Sequence, residues 1–253
     1  MTYVSHSMEI LNGIVKKAGI GLVRDFTELV QLQSAPKGHE EFTAAAIERT
    51  SAILRNELNK FRPDYPIITK ASELPVTECF VVNPLDGQVN FMHGIPYFAI
   101  SVAVVKRTEV LAGIVYNPAT GDTYFADKGY GSFKEGQRNH LRTRVSARKE
   151  LASCIIAGND DLQGKIGYLR NFGAISLDFA NVAAGQFDGL IAKGRSLAEV
   201  AAGILLIKES GGRVVSFQQT EAFSEIAKQI WESGDLIAGN PHVTKRLFEL
   251  NKA

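Results

Sequence analysis

Apolar residues recur at steps of three and four along residues 8–30, at Ile10, Leu11, Ile14, Val15, Ala18, Leu22, Phe26 and Leu29, the spacing that lines one face of a helix. A second stretch of the same kind runs over residues 41–61 through Ala44, Ile47, Ile53, Leu54 and Leu58, and Pro63 closes it. Both read as core-facing helices. From Cys79 to Phe133 the texture changes to short runs rich in β-branched residues. Residues 80–82, 99–105, 110–116 and 123–126 read as strands, with turns at Asn83-Pro84, Asn117-Pro118 and Lys128-Gly129. Beyond Leu151 the two periodicities alternate: strands at 153–157, 190–191, 213–216 and 236–238, helices at 176–184 and 197–210. Helices, then a β-rich stretch, then alternation predict an α+β fold of layered sheets and helices in two halves, 1–146 and 147–253. The halves join near residues 144–150 without a Pro/Gly/Ser-rich linker, so a shared interface is expected.

Composition adds exclusions. With 253 residues, 45% hydrophobic and 22% charged, the chain is ordinary globular protein, not disordered or collagenous. Its 28 Lys and Arg against 27 Asp and Glu leave +1, which argues against binding nucleic acid through bulk charge. No run reaches the roughly 20 apolar residues of a membrane span, and residues 1–7 lack the charged-then-apolar pattern of a secretory signal, so a cytoplasmic protein is expected. Cys79 and Cys154 sit in apolar runs without CxxC spacing and read as core thiols. Charge is uneven, however: residues 134–149 hold six basic residues and one acid, either a solvated hairpin or a docking surface for RNA or protein.

The stretch from Val81 to Phe91, VVNPLDGQVNF, carries the chemistry. A buried strand, a Pro turn, Asp-Gly and a helix start bring a carboxylate and backbone N–H groups to a sheet edge, where they can hold a metal ion and a phosphate. It continues as NFMHGIPYFAIS (90–101), GIVYNP (113–118), KGYGSF (128–133), AEVAAG (198–203) and ESGG (209–212).

That series resembles the inositol monophosphatase family, and within it the bacterial extragenic-suppressor (SuhB) type, from about Ile10 to the C-terminus. The resemblance implies an α-β-α-β-α sandwich of the inositol monophosphatase / fructose-1,6-bisphosphatase type and a homodimer. It also implies Mg²⁺-dependent hydrolysis of phosphate monoesters such as inositol 1-phosphate. In that chemistry carboxylates gather two or three Mg²⁺ ions, which activate a water and neutralise the phosphate. Carried over by motif, the metal positions are Asn83, the Leu85 carbonyl, Asp86 and Glu199. Asp86 and Gln88 hold the catalytic positions, Gly87 and Gln88 the phosphate, and Gly173 and Ala174 the substrate.

Residue by residue the chain departs from the pattern. Asn83 stands for the first Asp of DPxDG, and Gln88 for the Thr that orients the water. Lys70 and Ala71 replace the upstream acid pair, Glu73 being recoverable only through a gap, and Glu199 lengthens the last Asp by a methylene. Ile47 and Ala192 stand where acids usually lie, and residues 158–172 look some twenty-odd residues short of typical members. An ammonium at Lys70 about 5 Å from a divalent ion would repel it by roughly 6 to 7 kcal/mol at an effective dielectric of about 20. It would serve instead as a charge substitute. Weak or absent Mg²⁺ binding follows, with little phosphatase activity and a binding or regulatory role. Two alternatives stay open: an active phosphatase with a reduced metal set of Asp86, Glu199, Asn83 and Glu73, and a module binding RNA or the transcription machinery, a role that SuhB-type proteins have. Glu199 is either a surviving ligand or a helix-start acid. His93 belongs to a stretch that is structural in the family, and Ser101, Ser146 and Ser153 have no partners for a nucleophile triad.

Overall fold

The computed structural model describes residues 4–31, 38–69, 77–107, 109–136, 139–158, 164–217 and 234–252. Two long helices, α1 (His6–Gln31) and α2 (His39–Phe61), lead into a seven-stranded sheet. Its strands β1 (Ile67–Ile68), β2 (Glu78–Asp86), β3 (Ala99–Lys106), β4 (Glu109–Tyr116), β5 (Thr123–Asp127), β6 (Gly131–Glu135) and β7 (His140–Arg142) lie side by side in chain order. All neighbours are antiparallel except β1 and β2. The short helix α3 (Gln88–Met92) follows β2 directly.

The second sheet has the order β11-β12-β10-β8-β9, from β8 (Ile155–Gly158), β9 (Tyr168–Arg170), β10 (Gly189–Ala192), β11 (Arg213–Ser216) and β12 (Leu236–Gly239). Between the sheets lie α4 (Ile175–Ala183) and α5 (Leu197–Glu209), and α6 (Pro241–Lys252) covers the far face of the second sheet. The layers therefore run α1/α2, sheet, α4/α5, sheet, α6, the α-β-α-β-α sandwich implied by the resemblance.

Alternation builds these layers. In β2, Phe80 and Val82 pack with the α1/α2 layer while Cys79 and Val81 face α4 and α5; in β3, Ile100 and Val102 divide from Ala99 and Ala103 in the same way. A register shift between Val104 and Val105 reverses the parity, so Val110 faces the middle layer although Ala112 faces the outer one. In the second sheet Ile156, Ile191 and Ile237 meet α6, and Ala157, Leu190 and Ala238 meet the middle layer.

The middle layer approaches closely. A Cβ at Gly113 of β4 would stand 2.9 Å from the Ala202 Cα of α5, and one at Gly203 would stand 2.4 Å from the Phe179 Cβ of α4. Both thiols are buried, and burial pushes each up to about 11, as core thiols require. At Asn83-Pro84 the structure corrects the expected turn. β2 continues to Asp86, with a register shift between Asn83 and Asp86; Pro84 has no N–H to give and falls where the ladder is interrupted.

Candidate functional site

A cavity of about 640 Å³ opens beside the end of β2. One wall comes from α2 through Ile47, Glu48, Ser51 and Arg55, the floor from residues 83–89, and the opposite wall from Gly173 and the segment 195–199. The structure thus brings together Asn83, Leu85, Asp86, Gly87, Gln88, Gly173 and Glu199. Ala174, fully buried in front of α4, is not among the lining residues. Ala192 is core on β10. Lys70, Ala71 and Glu73 lie outside the described residues.

Gly87 shapes the floor. It precedes α3 with φ of 78°, and a Cβ there would stand 2.8 Å from the Tyr97 carbonyl oxygen, so both backbone sign and space call for glycine. Beyond it Asn90 ties the segment after α3 to the one before α4: its amide donates to the carbonyls of Tyr97 at 2.7 Å and Phe172 at 2.5 Å.

Asp86 is buried, and its Oδ2 accepts two bonds from Ser176 at the start of α4, from the backbone N–H at 2.7 Å and from the hydroxyl at 2.6 Å. Burial pushes its carboxyl up to about 6, Glu199 adding to the rise while the Ser176 bonds and the Arg195 charge oppose it. Asp178 of α4 is likewise pushed up to about 7, by burial first and by Asp86 next, while the Tyr97 hydroxyl and the Arg195 charge oppose the rise.

Glu199 caps the start of α5. Its Oε2 accepts the Ser196 N–H and the Ser196 hydroxyl, each at 2.8 Å, the reach-back half of a capping box on α5. Its Oε1 accepts from Arg195 Nη1 at 3.3 Å. Asn83 Oδ1 is turned to its own loop, toward the Leu85 N–H at 3.3 Å. Arg195, Ser176 and Ser196 were not among the expected site residues. Ser196-x-x-Glu199 is a capping pattern readable in sequence, whereas Ser176 reaches Asp86 only through the fold.

Mg²⁺ asks for several anionic oxygens in near-octahedral array. Among the described residues no group of three or more His, Cys, Asp or Glu could hold a metal ion. Of the two retained acids, each spends one oxygen on a pair of protein donors, and a guanidinium lines the same cavity. The described residues do not fit the ion.

His93 is exposed at the end of α3 and faces a separate depression with His39 and Glu41. Ser146 donates to buried Asp188, and Ser101 is buried in β3. The basic stretch is partly neutralised, Lys134 pairing with Asp122 at 2.7 Å and Arg148 with Asp188 at 3.2 Å. Among the described residues no helix is long and apolar enough to cross a membrane.

Comparisons with known proteins agree with this architecture. The family model described as "Inositol monophosphatase family" matches residues 5–252. An inositol-1-monophosphatase of Rhizobium meliloti is 37% identical, the match covering 96% of this chain and 95% of that protein. The Nus factor SuhB of Escherichia coli is 30% identical over 92% of this chain and 91% of its own length. Among solved structures, the extragenic suppressor protein suhB of Bartonella henselae superposes with a TM-score of 0.84 at 32% identity, covering 99% of this chain and all of that one.

Proposed function

We propose that this chain, which belongs to the inositol monophosphatase family, is a SuhB-type protein that keeps the family's scaffold and cavity but has little Mg²⁺-dependent phosphomonoesterase activity and acts through binding. One observation carries the reading: the two acids retained from the family motif, Asp86 and Glu199, each give one carboxylate oxygen to a serine N–H and hydroxyl of the chain itself. A carboxylate oxygen holding two short hydrogen bonds must give them up before it can ligate a small, strongly hydrated ion.

In this reading Asp86 and Gln88 occupy the catalytic positions, and Asn83, the Leu85 carbonyl and Glu199 the metal positions, without completing a site. Gly87 and Gln88 remain as the phosphate-facing floor, Gly173 and Ala174 as the substrate side, and Lys70 as a further charge substitute. The halves 1–146 and 147–253 share the cavity. The protein works in the cytoplasm as a homodimer. The naming of a 30%-identical relative as a Nus factor supports a partner in the transcription machinery.

Phosphate release from inositol 1-phosphate, measured with and without Mg²⁺, tests the proposal. Turnover is expected at least about a hundredfold below that of the Rhizobium meliloti relative assayed alongside, corresponding to about 2.7 kcal/mol of lost transition-state stabilisation. Equal turnover would favour the active enzyme with a reduced metal set.

A further inference from the structure

We propose that Arg195, which lines this cavity with Arg55, is the cation that answers its retained acids in place of a divalent ion. Together with Ser176 and Ser196 it engages one oxygen of Asp86 and both oxygens of Glu199. The proposal rests on the reading of the chain as a weak phosphatase and supplies the reason for it.

The geometry accounts for the acids one oxygen at a time. Asp86 Oδ2 takes the N–H and hydroxyl of Ser176 at 2.7 and 2.6 Å. Glu199 Oε2 takes the N–H and hydroxyl of Ser196 at 2.8 Å each, and Glu199 Oε1 faces Arg195 Nη1 at 3.3 Å. Five proton donors from three residues thus occupy positions where a bare Mg²⁺ would need lone pairs.

Arg195 is placed by charge more than by its own hydrogen bonding. Its Nε is buried and has no acceptor among the described residues, a costly state for a donor. The guanidinium holds this position while lining the cavity with Asp86 and Glu199. Its field also reaches Asp178, within the first turn of α4, where it favours the charged form as it does at Asp86. A guanidinium stays protonated at any physiological pH, so its charge is permanent, and a second cation entering the same cavity meets it at short range.

Calorimetric titration of MgCl₂ into the full chain, dialysed free of metal, tests this with wild type, Arg195→Lys, Arg195→Met and the double variant Arg195→Met with Ser176→Ala. Wild type and Arg195→Lys are expected to show no saturable heat up to about 10 mM, roughly tenfold beyond the weak end of known divalent-cation sites. Arg195→Met is expected to bind at least about tenfold more tightly than that limit, and the double variant more tightly again. If wild type and both Met variants are equally blind to Mg²⁺ while wild type is inert toward inositol 1-phosphate, Arg195 loses the role and the weak-phosphatase reading stands. Saturable sub-millimolar binding by wild type with ordinary turnover overturns both. Should Arg195→Met fail to fold, circular dichroism decides: folding restored by Mg²⁺ supports a cation requirement at this position, and no restoration overturns it.

Discussion

Asp178 lies in the first turn of α4, where its Oδ1 accepts the Tyr97 hydroxyl at 2.7 Å, and that hydroxyl in turn accepts the Asn181 amide at 2.8 Å. Burial and the neighbouring Asp86 push its carboxyl up to about 7, and burial likewise pushes the Tyr97 phenol far above its ordinary value. The folded state therefore holds a proton that the unfolded chain has already released. That contribution to stability is fully present below the ordinary carboxylate value near 4 and is lost as pH rises through about 7. Asp178→Asn cannot ionise, so its stability relative to wild type should rise by roughly 1 to 4 kcal/mol between pH 5 and pH 8. Urea unfolding across that range reads it directly, and a difference that does not change with pH would refute it.

Single residues were legible to different depths. Asp86 and Gly87 stood in a motif whose neighbours all agreed, and Asn83 and Gln88 could be read as departures from it. Glu199 could be placed but not assigned, because the same carboxylate suits a metal or a helix N-terminus; in the fold one of its oxygens takes the N–H and hydroxyl of Ser196, three residues earlier. Arg195 in Gly-Arg-Ser has no local pattern at all. Its meaning depends on β2 and α4, which end and begin about 110 and 20 residues before it in the chain.

At the scale of elements, α5 is set between β4 and α4 at two glycines. Replacing Gly203 by Ala puts a methyl 2.4 Å from both Cβ and Cγ of Phe179, so the helices must separate, at a cost of about 2 to 3 kcal/mol. Phe179→Ala should not rescue the variant, since the Cβ it retains is itself one of the clashing atoms. Thermal unfolding of the single and double variants checks this, and recovery in the double variant would show that the ring alone sets the spacing.

Long periodic elements were readable: α1, α2 and α5 are marked by their apolar faces, and β3 and β4 by β-branched runs. Strands β7 and β9 escape because three residues such as Tyr168-Leu169-Arg170 carry no period. Their pairing with β6 and β8 makes them strands. The last helix carries a signal of its own in the sequence. Asn240 caps the N–H groups of His242 and Val243 at 3.0 Å, Pro241 follows in the first helical position, and Val243, Leu247 and Phe248 form one buried stripe.

For the whole molecule, the junction between the two sheets depends on Asp188. Its carboxylate accepts from Ser146, from Arg148 at 3.2 Å and from the Ile155 N–H at 2.8 Å, so one buried acid fastens the connecting segment to the second sheet. Asp188→Ala leaves a backbone N–H and a hydroxyl without an acceptor, and a loss of about 2 to 4 kcal/mol is expected. Limited proteolysis should then cut within residues 144–150, where wild type is expected to resist; unchanged resistance would mean the segment is held by other contacts.

The glycine seating of α5 also bears on how such a chain can change over generations. The first turn of the helix hangs into the cavity, while its register is set further along by Ala202 against Gly113 and Gly203 against Phe179. Substitutions at 195, 196 and 199 therefore alter what the cavity presents without moving the helix that presents it. A lineage can trade ligands for hydrogen bonds at that end in small steps, each leaving a folded protein, and the same independence leaves the way back open.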